Sequence, residues 1–265
     1  MKFVQRSKKK SASKHANLSK PAKSEKKQSE LVLNELSVFY PAYNEGERIG
    51  KTIEKTFAYL PKVAKKYEVI VVNDGSKDNT GKVVEKLMKK YRDLKMITHS
   101  PNKGYGEALK TGFANSQYEW VVFTDSDGQF DFGEISEFIK TQQKTQADLV
   151  IGYYKKRAVP FYRKLNSQVW QLIVYGLFGL KVRDIDCAFK LINKKVIESI
   201  GPLESGRGAF ISSEFLIKAK KKGFKIVEIP ITHYARAGGK GTGANLDVIV
   251  QSFVDLFSLW VKLRN

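Results

Sequence analysis

The stretch that most constrains this chain is Val121–Phe130, VVFTDSDGQF. An apolar run passes through Phe123 and meets two acids, Asp125 and Asp127, followed by Gly128 and Gln129. Apolar residues that stop at carboxylates read as a buried strand delivering charge to one end of a sheet. Residues two apart on an extended segment point the same way. Asp125 and Asp127 can therefore converge on one hard cation, which takes oxygen ligands and leaves positions open for substrate phosphates. The same letters also suit a polar turn, so the rest of the chain has to decide.

Strand-like and helix-like segments alternate from residue 36. Leu36–Tyr40, Val69–Val72, Leu94–Thr98, Trp120–Thr124 and Asp148–Ile151 read as strands. Helical spacing of apolar residues falls between them, at Ile49, Ile53, Phe57 and Leu60, at Val83, Leu87 and Tyr91, at Gly104–Asn115, and at Ile135, Phe138 and Ile139. This order predicts an α/β fold, a mostly parallel central sheet with helices on both faces. Ligands of such sheets bind beyond the carboxyl ends of the strands. After residue 152 the pattern changes. A mixed aromatic and basic stretch, Tyr153–Arg163, leads into apolar helix through Gly179. Short helices are expected at Asn193–Ile200 and Ser212–Lys222, and a strand at Phe224–Ile229 closed by Pro230. A glycine-rich loop, 237–244, precedes a last helix.

Composition narrows the chemistry. One cysteine, Cys187, excludes a disulfide framework within the chain, and three scattered histidines argue against a structural zinc site. Any metal is expected to be Mg2+ or Mn2+ on oxygen. Net charge is +20. The first thirty residues hold ten Lys/Arg against two Glu, without apolar periodicity. Residues 1–32 are therefore expected to be a disordered basic tail. Basic surfaces attract nucleic acid, anionic lipid or phosphorylated substrates. Nucleic acid is the poorer match, because carboxylates at three strand ends repel phosphate unless a metal intervenes. A run of about 20 uninterrupted apolar residues, enough for a spanning helix, does not occur.

Other groups lie at predicted strand ends. Pro41-Ala-Tyr43-Asn44-Glu45 follows the first strand, where Asn44 can cap the next helix. Asp74 follows the second, in a sequence that also suits a tight turn. Asn102-Lys103-Gly104 opens a helix whose N-terminus and lysine suit an anion. The GYGEAL string lacks the third glycine of a dinucleotide fingerprint, and GGKGT lacks the P-loop spacing. Arg236 and Lys240 lie in the glycine-rich loop, which reads either as a phosphate clamp or as a solvated basic loop.

Together FYPAYNE, VVNDGSKDNT, NKGYGEALKTGF, FTDSDGQFD, DIDCAFK, SSEFLIKAKKKGFKIVEIPI and the arginine-glycine loop resemble glycosyltransferase family 2 on a GT-A fold. They are most similar to its branch of dolichyl-phosphate mannosyltransferases and polyprenyl-phosphate glycosyltransferases. The resemblance implies a catalytic domain over 33–245 and a C-terminal amphipathic helix over 246–265 at a membrane surface. It implies that Pro41, Tyr43, Glu45, Asp74 and Lys103 bind the nucleotide-sugar, with Asp74 at the base. It implies Asp125, Asp127 and Gln129 as ligands of Mg2+ or Mn2+ on the donor diphosphate. Arg236 and Lys240 would close over the phosphates, Glu214 and Asp184 would lie near sugar and acceptor, and Arg157 and Arg163 would hold an acceptor phosphate. Asp127, Asp184 and Arg236 would carry the chemistry. Three positions depart from the pattern: Asn73 replaces the usual first acid beside Asp74, Ala188 replaces a glycine, and no Ser-Lys follows the arginine loop.

The implied reaction is inverting transfer of a hexose, mannose from GDP-mannose in the first instance, to a polyprenyl or dolichyl phosphate. The enzyme would sit peripherally at the cytoplasmic face of a membrane, with small membrane partner subunits as further expected partners. The alternatives are a soluble saccharide or protein acceptor, and UDP-glucose as donor. The apolar segments Val169–Val182 and Leu246–Leu263 can lie on a membrane surface or pack on the catalytic domain.

Overall fold

The computed structural model describes residues 1, 32–155, 161–205, 210–235 and 246–264, without the side chains of 161–166 and 246–249. The expected basic tail, the glycine-rich loop, Arg157, Arg236 and Lys240 lie outside the described residues, as does the side chain of Arg163. The elements below belong to one compact unit, Leu31–Asn265.

The strands are β1 (Leu33–Ala42), β2 (Ala64–Asn73), β3 (Leu94–Thr98), β4 (Trp120–Phe123), β5 (Leu149–Tyr154), β6 (Lys190–Asn193) and β7 (Ile226–Ile231). They form one sheet in the order β3-β2-β1-β4-β6-β5-β7. The pairs β1–β2, β1–β4, β2–β3 and β5–β7 are parallel, whereas β6 runs antiparallel to both β4 and β5. The expectation of a mostly parallel sheet is met, with β6 as the unforeseen strand. The strand expected to stop at Pro230 runs through it to Ile231. β7 is an edge strand, where proline's missing N–H is tolerated.

Helices α1 (Ile49–Val63), α2 (Thr80–Met88), α3 (Tyr105–Asn115) and α4 (Ile135–Thr145) follow the first strands, and a 3-10 turn, Phe132–Glu134, leads into α4. Neighbouring residues of β1 show how the sheet is covered. Phe39 packs edge-on against Phe113 of α3 at 5.1 Å, while the Tyr40 hydroxyl meets Thr56 Oγ1 of α1 at 2.5 Å. Successive side chains of a strand point to opposite faces, so α1 and α3 cover opposite sides. The α3 side is closely packed: a Cβ on Gly112 would stand 2.2 Å from the Phe39 ring. The remaining helices are α5 (Phe161–Phe178), α6 (Lys194–Ser199), α7 (Phe210–Lys221) and α8 (Leu246–Arg264).

Helix α8 does two things. Leu256 and Leu259 are buried, and the helix packs on α7. Val250, Phe253, Val254, Phe257 and Val261 face outward, Phe257 being 63% exposed. Val169, Leu172 and Tyr175 of α5 are exposed too, Leu172 by 69%. Trp170 meets Phe253 at 5.2 Å between ring centroids, which joins the two helices. Among the described residues no helix is long and apolar enough to cross a membrane.

Candidate active site

Three parallel strands, β1, β2 and β4, end at the same edge of the sheet. The direction of β6 brings a fourth segment there. Lys190 pairs with Phe123 across the antiparallel ladder, so the residues just before β6 arrive beside the residues just after β4. Asp184 and Asp186 thereby come into the neighbourhood of Asp125, all three acting on Lys190. This convergence cannot be seen in any single segment.

The acid loop is pinned from two sides. Ser126 Oγ donates to the Pro41 carbonyl at 2.8 Å, and Thr52 Oγ1 of α1 donates to the Ser126 carbonyl at 3.3 Å. Gln129 N–H donates to Asp127 Oδ1 at 3.0 Å, closing a local turn across Gly128, whose φ is +76°. A positive φ there suits glycine. The sequence's two readings of this stretch thus both hold: the carboxylates follow a strand, and a turn shapes them.

Asp125 is half-buried. Burial pushes its carboxyl up to about 7, the charge of Asp127 and then of Glu45 add to that, and Lys190 and the Tyr105 hydroxyl oppose it. Tyr105 Oη donates to Asp125 Oδ1 at 3.4 Å. Burial and the neighbouring carboxylates disfavour charge on Asp125, and a divalent cation would offset that. Asp125, Asp127, Gly128 and Thr124 line a cavity of about 310 Å³ together with Arg48, Lys51 and Lys55 of α1 and Ala235. Thr124 Oγ1 in that wall is buried without a hydrogen-bond partner among the described residues. Nowhere among the described residues do three His, Cys, Asp or Glu side chains converge on one metal position. Two carboxylates completed by substrate phosphates are a usual way to hold Mg2+, so the pair fits such an ion. Gln129, expected as a third ligand, donates its Nε2 to the Tyr234 carbonyl at 2.8 Å.

The other expected residues divide. Glu45 is buried, bonded to Arg48 at 3.2 Å and close enough to Asp125 to raise its pKa. Tyr43 is exposed at the end of β1. Asn44 does not cap α1. With φ of +57°, it accepts from Lys77 N–H at 2.8 Å and ties the first loop to the second. The Asp74 carboxylate is already engaged with His99 Nδ1 and Asn102 Nδ2 at 2.7 Å, Lys103 N–H at 2.9 Å and Gly104 N–H at 2.8 Å. It organises the loop before α3. Lys103 takes part through its backbone, and its side chain is exposed.

Glu214 lies on α7 and lines a second cavity beside Gln251, Asp255 and Leu259 of α8. Its carboxylate accepts from the backbone of Glu204 and Ser205, both at 2.9 Å, and pairs with Lys218 at 2.7 Å. Asp184 is buried and accepts from Asp186 N–H at 3.1 Å.

Two residues escaped the sequence reading. Tyr105 opens α3 against Asp125, and Lys190 opens β6 beneath the acids. The signal for Lys190 was a lysine heading the apolar run LIN directly after DIDCAF, too short to read as a strand. Tyr105 sits inside a string that was weighed only as a glycine motif.

Residues 37–201 match the model described as glycosyl transferase family 2, and the chain belongs to that family. The dolichyl-phosphate beta-glucosyltransferase of Saccharomyces cerevisiae is 29% identical over 228 residues, covering 77% of this chain and 68% of that protein. The human dolichyl-phosphate beta-glucosyltransferase is 30% identical over 225 residues, covering 78% and 69%. This chain thus spans about two thirds of each relative's length. Among solved structures, the mannosyltransferase PcManGT of Pyrobaculum calidifontis, in complex with GDP-Man and Mn2+, aligns with a TM-score of 0.63 at 19% identity, over 86% of this chain and 66% of that one. The fold is GT-A, and the chain is a glycosyltransferase.

Proposed function

We propose that this glycosyltransferase moves a hexose from a nucleotide-sugar to a polyprenyl or dolichyl phosphate, with glucose from UDP-glucose favoured over mannose from GDP-mannose. The observation that carries the reading is the Asp125–Asp127 pair, which opens with Arg48, Lys51 and Lys55 on one cavity at the end of β4. The names of the yeast and human relatives support the glucosyl donor and the lipid phosphate acceptor. The mannose expected from sequence has no such support from these two names.

Asp125 and Asp127 are the residues that would hold Mg2+ or Mn2+, with the Gln129 side chain beside them. Such an ion supplies charge that stabilises a departing diphosphate. The acceptor phosphate oxygen attacks the anomeric carbon, a new C–O bond forms, and the bond to the nucleoside diphosphate breaks with inversion. That phosphate is anionic near neutral pH and needs placing more than deprotonating. Asp184 is assigned to orient sugar and acceptor at the reacting centre, Arg157 and Arg163 to hold the acceptor phosphate, and Arg236 and Lys240 to cover the donor phosphates. Tyr43, Glu45 and the loop organised by Asp74 line the donor side.

The lipid tail of the acceptor requires a membrane surface. The outward apolar face shared by α5 and α8 supports peripheral docking, and the basic segment 1–32 would add attraction to anionic lipid. The test is a donor screen with polyprenyl phosphate and Mn2+, following label into the organic phase. Glucose transfer from UDP-glucose is expected. Transfer from GDP-mannose instead would restore the mannosyl donor, and transfer from no donor would overturn the lipid acceptor.

A further inference from the structure

Lys190 is fully buried in the interior of the sheet, between β4 and β5. Its ammonium stands 5.1 Å from the centroid of the Phe123 ring, its partner across the ladder. Nζ donates to the Ile185 carbonyl at 3.2 Å and to the Cys187 carbonyl. Its charged neighbours are Asp184, Asp186 and Asp125.

An aliphatic side chain would fill this space without the penalty of a buried charge. What the ammonium adds is specific. It gathers two carbonyls of the segment carrying Asp184 and Asp186, and holds that segment against the strand that carries Asp125. We propose that Lys190 is a positioning residue for sugar transfer: it fixes the Asp184–Cys187 turn at the end of β4, so that the acids of the turn stand beside Asp125. This rests on the assignment of Asp184 to the reacting centre.

The test uses the full chain with Lys190→Met, Asp184→Asn and the double variant. A displaced turn misplaces reacting groups, so Lys190→Met is expected to lower kcat about 100-fold. Affinity for UDP at saturating Mn2+, measured by calorimetry without turnover, should stay within about threefold, because the loops carrying Tyr43 and Asp74 are left in place. If Lys190 acts through Asp184, the double variant falls no further than about threefold below Asp184→Asn alone. Losses that multiply would overturn the proposal. So would an unchanged kcat in Lys190→Met, or a loss of UDP affinity that parallels kcat.

If Asp184→Asn proves silent, the Asp184 assignment fails by itself. The same cycle with Asp186→Asn then decides for Lys190, and its silence as well would overturn the proposal. Should Lys190→Met not fold, Lys190→Gln keeps a donor for one carbonyl, and the same criteria apply.

Discussion

Gln129 and Tyr234 hold each other twice: the Tyr234 N–H donates to the Gln129 carbonyl at 2.9 Å, and Gln129 Nε2 donates to the Tyr234 carbonyl at 2.8 Å. The acid loop is thereby tied to the segment that follows β7. Gln129→Glu replaces the donor with a carboxylate facing a carbonyl. It adds a better cation ligand but removes the tie. The donor KM is expected to rise about tenfold, the size of one lost hydrogen bond with an unpaired acceptor, while Mn2+ affinity does not weaken. Steady-state kinetics with a parallel Mn2+ titration checks this. An unchanged KM would return Gln129 to a simple ligand role.

Asp125 sets function against stability. Its folded pKa, about 7, lies above the ordinary 3.8, so between those values the folded state keeps a proton that the unfolded state has lost. Stability of the metal-free protein therefore falls as pH rises from about 4 to 7, and the penalty persists above that range. Asp125→Asn should melt a few degrees higher than the native chain at pH 8 without metal, with the gap closing near pH 4. The same variant should lose about 100-fold or more in kcat. Calorimetric melts at the two pH values are the measurement, and a variant that melts lower at pH 8 would count against the assignment.

Glu214 works the other way. Burial pushes its carboxyl up, but Lys218, Ser205 and the Glu204 and Ser205 amides outweigh that and hold it below the ordinary 4.5. Its contribution is fully present above about pH 4.5 and is lost as pH falls through the lowered folded value. Glu214→Gln should melt several degrees lower at pH 7, since it strips charge from a buried, hydrogen-bonded group. The deficit should shrink below pH 4.5. A deficit that is constant with pH would mean that packing, not charge, is at stake.

Membrane docking predicts a split between acceptors. Leu172→Glu with Phe257→Glu should weaken sedimentation with anionic vesicles about a hundredfold or more, because each side chain gives up roughly 1.5–3 kcal/mol of apolar burial. Turnover of a short-chain, water-soluble acceptor should not change. Equal losses with both acceptors would place these side chains in the catalytic fold.

The parallel strands were legible as apolar runs: Val69–Val72, buried on both faces, lies inside the longer β2, and Leu94–Thr98 runs as the pattern predicts although it is an edge strand with only Leu94 buried. The antiparallel strand was not, because its four residues open with a lysine and owe their extension to pairing with β4 and β5. Residue types at the site were legible too, as carboxylates at strand ends. Their partners were not. Asp74 reads as a ligand-facing acid, yet its oxygens are occupied by four groups brought from residues 99–104 by the fold. Asn44 reads as a cap until the second loop arrives to claim its side chain.

The direction of β6 also divides the molecule. Every strand up to residue 123 lies on one side of the β4–β6 ladder, and every later strand lies at or beyond it. Tyr43, Asp74 and Lys103 belong to the first half, Asp184 and Glu214 to the second. Within the sheet, four rungs, Trp120–Phe123 against Asn193–Lys190, are the whole seam. A chain wired this way joins its early and late strands through one short antiparallel seam, so a change in the register of that seam would shift the Asp184 turn against the loop that carries Asp125.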